Sequence, residues 1–211
     1  MPVTTPSQLP QMSVTGITWR TAPAQIRSSL AAVLPDGEPL LRDLVGAGAC
    51  RQVALVSTCN RLEVIAYTDD PDDFRAEIVR RFRTVGAGLG THHVGHRAGR
   101  EAVHYLFRVA SGLESMMLGD QQIVGQLGVA REGAATAGTL GRELDELLRS
   151  AITTGRDARR ETDISRGAAG FASVTAGRIA RWGELQQHRT MIVVLGAGEL
   201  AGDIGRLVAK R

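Results

Sequence analysis

Residues 53 to 67 constrain the fold more than any other stretch of the chain. Val53 to Val56 and Val64 to Tyr67 are short apolar runs rich in β-branched residues, and each reads as a buried strand. Between them lies Ser57-Thr58-Cys59-Asn60-Arg61-Leu62-Glu63, which gathers a thiol, hydroxyls, an amide, a guanidinium and a carboxylate. A turn needs no such collection. A polar hairpin loop with a half-buried thiol is the plain alternative, since a lone free cysteine is mostly a small core hydrophobe. The density of functional groups favours a reactive site. A thiol is a good nucleophile only as the thiolate, which nearby positive charge favours. Arg61 supplies such charge, or it clamps a substrate carboxylate bidentately. A cysteine nucleophile beside a carboxylate receptor points to acyl chemistry on an acidic substrate.

Composition narrows the class. Of 211 residues, 43% are hydrophobic and 22% charged, a globular balance. No stretch of about 18 apolar residues is present to span a membrane. The amino-terminal residues lack the basic-then-apolar order of a secretory signal, and the two cysteines, Cys50 and Cys59, make no disulfide framework. These features imply a cytoplasmic protein with reduced thiols. The net charge of +3 permits contact with RNA. An aromatic content of only 4% argues against an extended base-stacking surface.

The pattern predicts an α/β chain. A disordered tail is expected over 1–12, then a strand over 13–18. Helices are expected over 25–33, 40–47 and from Pro71 to about Arg83. Residues 86–99 read as a Gly- and His-rich loop. His92, His93 and His96 have no Cys or carboxylate beside them, so a solvated loop is expected and no metal site. From Arg100 to Ala130 the chain reads as helix, with Ala102, Leu106, Val109, Leu113 and Met116 as its core stripe. A second stripe, His104, Arg108, Ser111 and Ser115, reaches Gln122 in the same register and suits a cleft lining. Further helices are expected from Leu140 through Ile152, over 165–181 and over 203–210. The basic end at Arg156 to Arg160 is either a solvated face or a phosphate contact.

Near the carboxyl end, Met191 to Leu195 reads as a buried parallel strand, followed by Gly196-Ala197-Gly198-Glu199-Leu200-Ala201 and a helix. This order is the dinucleotide fingerprint, in which glycines bring backbone N–H groups to a pyrophosphate at a helix N-terminus. One strand and one helix cannot build a doubly wound sheet. The 211 residues therefore hold only the opening of such a domain, as a fragment or as a natural truncation.

The Ser-Thr-Cys-Asn-Arg-x-Glu motif resembles the signature of the glutamyl-tRNA reductase family, which begins tetrapyrrole (porphyrin) synthesis by the C5 route to 5-aminolevulinate. Other segments resemble the family in its own order: Gly16 to Pro23 with its Thr-Ala-Pro, His104 to Gln126, and Arg159 to Ala201. The resemblance covers nearly the whole chain. After the expected tail at 1–12, it implies an α+β catalytic domain at 13–163 with a spinal-type helix, and the start of a truncated NADPH-binding Rossmann-like domain at 164–211. It implies Cys59 as nucleophile and His104 as the activity-critical histidine. It places Thr58, Asn60, Arg61, Ser115, Asp120, Gln121, Gln122 and Gln126 in the glutamate-binding set, and Gly196, Ala197, Gly198, Glu199, Leu200 and Ala201 in the cofactor loop. This chain departs from the family pattern at Thr18-Trp19 (Asn-His in the family), at Asp120-Gln121 (Glu-Pro) and at Ala168-Ala169-Gly170 (Ala-Val-Ser).

The reaction so implied is attack of the Cys59 thiolate on the ester joining glutamate to tRNA, then reduction of the thioester by NADPH to glutamate-1-semialdehyde. The implied partners are glutamyl-tRNA and glutamate-1-semialdehyde aminomutase, with a homodimer formed through a domain these residues do not contain. Two rivals stand beside it: a non-reducing homologue that binds or regulates, and an acyltransferase or esterase using Cys59 and His104 alone.

Overall fold

The computed structural model describes residues 11–34, 37–85, 88–165, 171–185, 191–196 and 199–209. At its centre is an antiparallel sheet in the order β2-β3-β1-β4, formed by β1 (Gln11–Thr18), β2 (Gln52–Ser57), β3 (Arg61–Thr68) and β4 (Gly95–Ala98). The strands flanking Cys59 are where the apolar runs put them. β1 begins at Gln11, inside the stretch expected to be a tail; residues 1–10 lie outside the described residues. β4 falls in the stretch expected to be a loop. Gly-His-Arg-Ala carries no apolar run, and it is a strand because β1 offers it hydrogen bonds from Ser13↔Ala98 to Gly16↔Gly95.

The helices are α1 (Ala24–Val33), α2 (Glu38–Gly46), α3 (Pro71–Val85), α4 (Gly99–Ala110), α5 (Gln122–Thr136), α6 (Arg142–Glu161), α7 (Phe171–Leu185) and α8 (Glu199–Ala209). Side chains alternate along a strand, so Arg61, Glu63 and Ile65 share a face with their cross-strand partners in β1, Thr18, Gly16 and Val14. α4 and α5 cover this face, backed by α6. Leu62, Val64 and Ala66 point the other way, toward α1, α2 and α3. Both faces are dry, as the near-continuous burial of β1 and β3 shows. The apolar core thus runs through all three layers, from Phe74, Ile78 and Phe82 of α3 to Leu144 and Leu148 of α6. α7 and α8 pack against each other.

Two expectations fail. The helix expected to run unbroken to Ala130 stops at Ala110 and resumes at Gln122. Gly112 and Gly119 both adopt φ 79°, and the Gly119 N–H donates to the Gly112 carbonyl at 3.1 Å, closing a loop between the helices. The two backbones approach so closely that a Cβ on Gly112 would lie 3.0 Å from the Gly119 Cα. Helical periodicity does not carry across left-handed residues, so Leu113, Met116 and Leu118 face solvent (36%, 40% and 62% exposed). Met191 to Leu195, expected as a buried strand, pairs with no strand among the described residues and is exposed, Leu195 to 92%. A parallel strand exists only where neighbours take its hydrogen bonds. Ala168, Ala169, Gly170, Ala197 and Gly198 lie outside the described residues.

Candidate functional site

Thr58, Cys59 and Asn60 form the tip of the β2–β3 hairpin. The Thr58 N–H donates to the Arg61 carbonyl at 2.8 Å, and the Thr58 hydroxyl accepts the N–H groups of Asn60 and Arg61, both at 3.1 Å. Thr58 therefore shapes the turn with its own side chain. Two of the three carbonyls at the tip are tied from outside the hairpin. Arg27 Nε donates to the Cys59 carbonyl at 3.1 Å, and the Trp19 N–H donates to the Asn60 carbonyl at 2.8 Å. The backbone of the cysteine is clamped while the residue itself is exposed.

Cys50 is the opposite case. It is buried in the core, and desolvation pushes its thiol up to about 12, against a smaller downward pull from Arg81.

Arg61 lies beneath the tip and is buried. Its Nη1 donates to Glu63 Oε2 at 2.9 Å and to the Tyr105 hydroxyl at 3.2 Å, and its Nη2 donates to the Glu114 carbonyl at 2.7 Å. Tyr105 in turn donates to Glu63 Oε1 at 2.7 Å. The Arg-x-Glu spacing of the motif follows from strand geometry, because a period of two puts both side chains on the face that α4 covers. Burial opposes the guanidinium charge, but Glu63 and Tyr105 outweigh it and hold Arg61 above its ordinary value. Burial first, then Glu63, pushes the Tyr105 phenol up. The fork expected to grip a substrate is thus largely engaged inside the protein, leaving Nε and one Nη2 hydrogen without a partner among the described residues.

Glu114 joins the hairpin to the loop between α4 and α5. Its carbonyl accepts from both Arg61 and the Trp19 indole Nε1, the latter at 3.3 Å, and its carboxylate pairs with Arg108 at 2.7 Å. Ser115, next in the chain, is buried there. The structure therefore brings Thr58, Cys59, Asn60 and Arg61 together with the start of this loop. Asp120, Gln121 and Gln122 stand at the amino end of α5, where the Asp120 carboxylate accepts the Gln122 N–H at 2.9 Å. Gln126 follows one turn later on the same helix. Arg159, from the basic end of α6, donates to the carbonyls of Ala110 at 2.9 Å, Asp120 at 2.5 Å and Gly155. It is thus a backbone clamp, and its Nε is buried without a partner among the described residues.

His104 is exposed on α4, one residue from Tyr105 and one turn before Arg108. No hydrogen bond joins it to Cys59 among the described residues. Near the carboxyl end, Gly196 (φ 149°) lies three residues before the first residue of α8. A positive-φ glycine before a helix N-terminus suits the pyrophosphate of a dinucleotide. The crevice that would take a nicotinamide ring is not formed by the described residues.

Sequence reasoning missed Arg27, Tyr105 and Glu114. Arg27 had a signal: it shares the buried side of α1 with Leu30, a place where an arginine needs partners. The Glu114 carbonyl is backbone, and backbone roles leave no trace in residue type.

A three-layer α+β fold that presents an exposed thiol at a clamped hairpin tip defines a class of cysteine-bearing domains. The comparisons name the family. A model of the glutamyl-tRNA(Glu) reductase N-terminal domain matches residues 15–162, and the chain belongs to that family. It is 36% identical over 198 residues to the glutamyl-tRNA reductase of Solibacter usitatus, covering 90% of this chain and 46% of that one. It is 35% identical over 193 residues to that of Synechocystis sp., covering 90% and 45%. The solved glutamyl-tRNA reductase from Methanopyrus kandleri superposes with a TM-score of 0.64 at 31% identity, over 94% of this chain and 46% of that one. The chain thus spans about half the length of the curated relatives it matches. Among the described residues, no helix is long and apolar enough to cross a membrane.

Proposed function

We propose that this chain carries the acyl-transfer half of a glutamyl-tRNA reductase, with Cys59 as its nucleophile. The observation that supports this most is the clamped hairpin tip, where Arg27 and the Trp19 N–H fix the backbone on either side of an exposed thiol. The Cys59 thiolate, its proton already given up to solvent, attacks the ester carbonyl of glutamyl-tRNA. An S–C bond forms, the bond from that carbon to the ribose oxygen breaks, and the tRNA leaves with a proton on that oxygen. His104, exposed on α4, is the proton donor to the leaving oxygen, a role suited to an imidazole. Asn60, Ser115, Asp120, Gln121, Gln122 and Gln126 surround the glutamyl group, and Arg61 offers it the donors that Glu63, Tyr105 and the Glu114 carbonyl leave free. Thr58 acts by shaping the turn.

Gly196 to Ala201 would hold the pyrophosphate of NADPH, which when bound supplies the hydride that takes a thioester to an aldehyde. Without a reductant, water ends the acylated state and releases glutamate. Glutamate release from glutamyl-tRNA by the purified chain, without NADPH, is therefore expected. Cys59→Ala abolishes it, and His104→Ala slows it by roughly 10²- to 10⁴-fold, the range for a general acid. Equal release by the parent chain and Cys59→Ala would sink the assignment.

A further inference from the structure

Trp19 and Arg20 occupy the turn after β1, directly beside the cysteine. The Trp19 N–H is bonded to the Asn60 carbonyl at 2.8 Å, so the indole belongs to the residue next to the nucleophile's own turn. The ring is half-buried, and its Nε1 donates to the Glu114 carbonyl at 3.3 Å, which fixes its plane. The Arg20 guanidinium lies over the ring, 4.4 Å from its centroid. The Glu114 carboxylate steadies that guanidinium at 3.8 Å, and the Arg20 side chain remains 55% exposed. Cation–π pairs recur about once per 70–80 residues in proteins, so the pair alone means little. Its position carries the argument.

Building on the acyl-transfer reading above, we infer that the Arg20–Trp19 stack is the platform for the terminal adenine of the aminoacyl-tRNA. The glutamyl ester sits on the ribose of that last nucleoside. When the ester carbonyl meets the Cys59 sulfur, the adenine lies one ribose away and must rest on some part of the wall beside the hairpin. Arginine planes and indole rings are the surfaces on which unpaired bases stack. The Arg20 charge also favours the neighbouring phosphate. The low aromatic content of the chain argues against an extended stacking surface, but one terminal base needs one platform.

The test uses the whole chain carrying Trp182→Phe, which leaves Trp19 as the one tryptophan. An acceptor-stem minihelix without an amino acid and with a dye on its far end is titrated in, ending either in adenosine or in the same sugar without a base. Dye anisotropy gives the affinity of every variant, and tryptophan fluorescence reports quenching of Trp19 where it is present. The adenosine end should quench Trp19, and removing the base should weaken binding about 5- to 150-fold, the span for one stacked base. Trp19→Ala should lose the same factor on the adenosine end and nothing on the baseless end, and Trp19→Phe should recover most of it. Equal binding of the two ends without quenching, or an equal loss on both ends in Trp19→Ala, overturns the platform. Acylation of Cys59 by full glutamyl-tRNA is measured on the same preparations. If acylation proceeds while binding is blind to the base, the platform alone falls. If the chain neither binds RNA nor acylates, the functional reading falls with it.

Discussion

Cys50 and Cys59 sit in opposite environments, and their chemistry should divide accordingly. Iodoacetamide at pH 8 is expected to modify Cys59 in the folded chain and Cys50 only after denaturation, as read by peptide mass. Faster modification of Cys50 in the native state would contradict the burial seen here. Burial also links Cys50 to pH. The folded chain holds the thiol proton to about 12, against 9.0 for the unperturbed group, so the neutral form is the one that folding favours. Its contribution to stability is whole below pH 9 and is lost as pH rises toward 12, with a slope of at most about 1.4 kcal/mol per pH unit. Cys50→Ala should flatten that alkaline limb in urea titrations. At Arg61 the dominant effect is structural. Arg61→Ala strands the Glu63 carboxylate in a dry layer and should cost roughly 3–5 kcal/mol of stability. Adding Glu63→Gln should recover part of the loss, and strictly additive effects of the two substitutions would show that the pair does not interact.

At the scale of elements, the hairpin was legible because two β-branched runs flank a polar turn, and strand alternation alone pairs Arg61 with Glu63. β4 was not legible, because four residues without an apolar pattern become a strand only when β1 pairs with them. The break between α4 and α5 was hidden because the apolar spacing of Leu113 and Met116 continues the stripe of α4. What cancels it is backbone conformation at Gly112 and Gly119, which residue type permits but does not announce. The same contrast gives a paired prediction. Gly112→Ala, at φ 79° with a 3.0 Å approach, should destabilise by at least about 1–2 kcal/mol. Gly125→Ala, within α5 and with nothing within 4 Å of a new Cβ, should stabilise by roughly 0.5–1 kcal/mol. Thermal unfolding of the two variants decides it, and a Gly112→Ala chain as stable as the parent or more so would mean that the loop closure plays no part in the fold.

For the whole molecule, the sheet and its two helical layers bring one thiol to the surface and hold it there through residues from three other places in the chain: Arg27 of α1, Trp19 after β1 and the Glu114 loop after α4. The exposed cysteine and its turn were readable in the local motif. The clamps were not, because tertiary packing alone joins them to Cys59. The central claim is that this tip accepts the glutamyl group. The most direct measurement mixes the chain with tRNA charged with labelled glutamate, quenches in acid and locates the label by peptide. The account predicts a hydroxylamine-labile label on the peptide containing Cys59, present in Cys50→Ala and absent in Cys59→Ala. Label on Cys50, or label that survives Cys59→Ala, would contradict it.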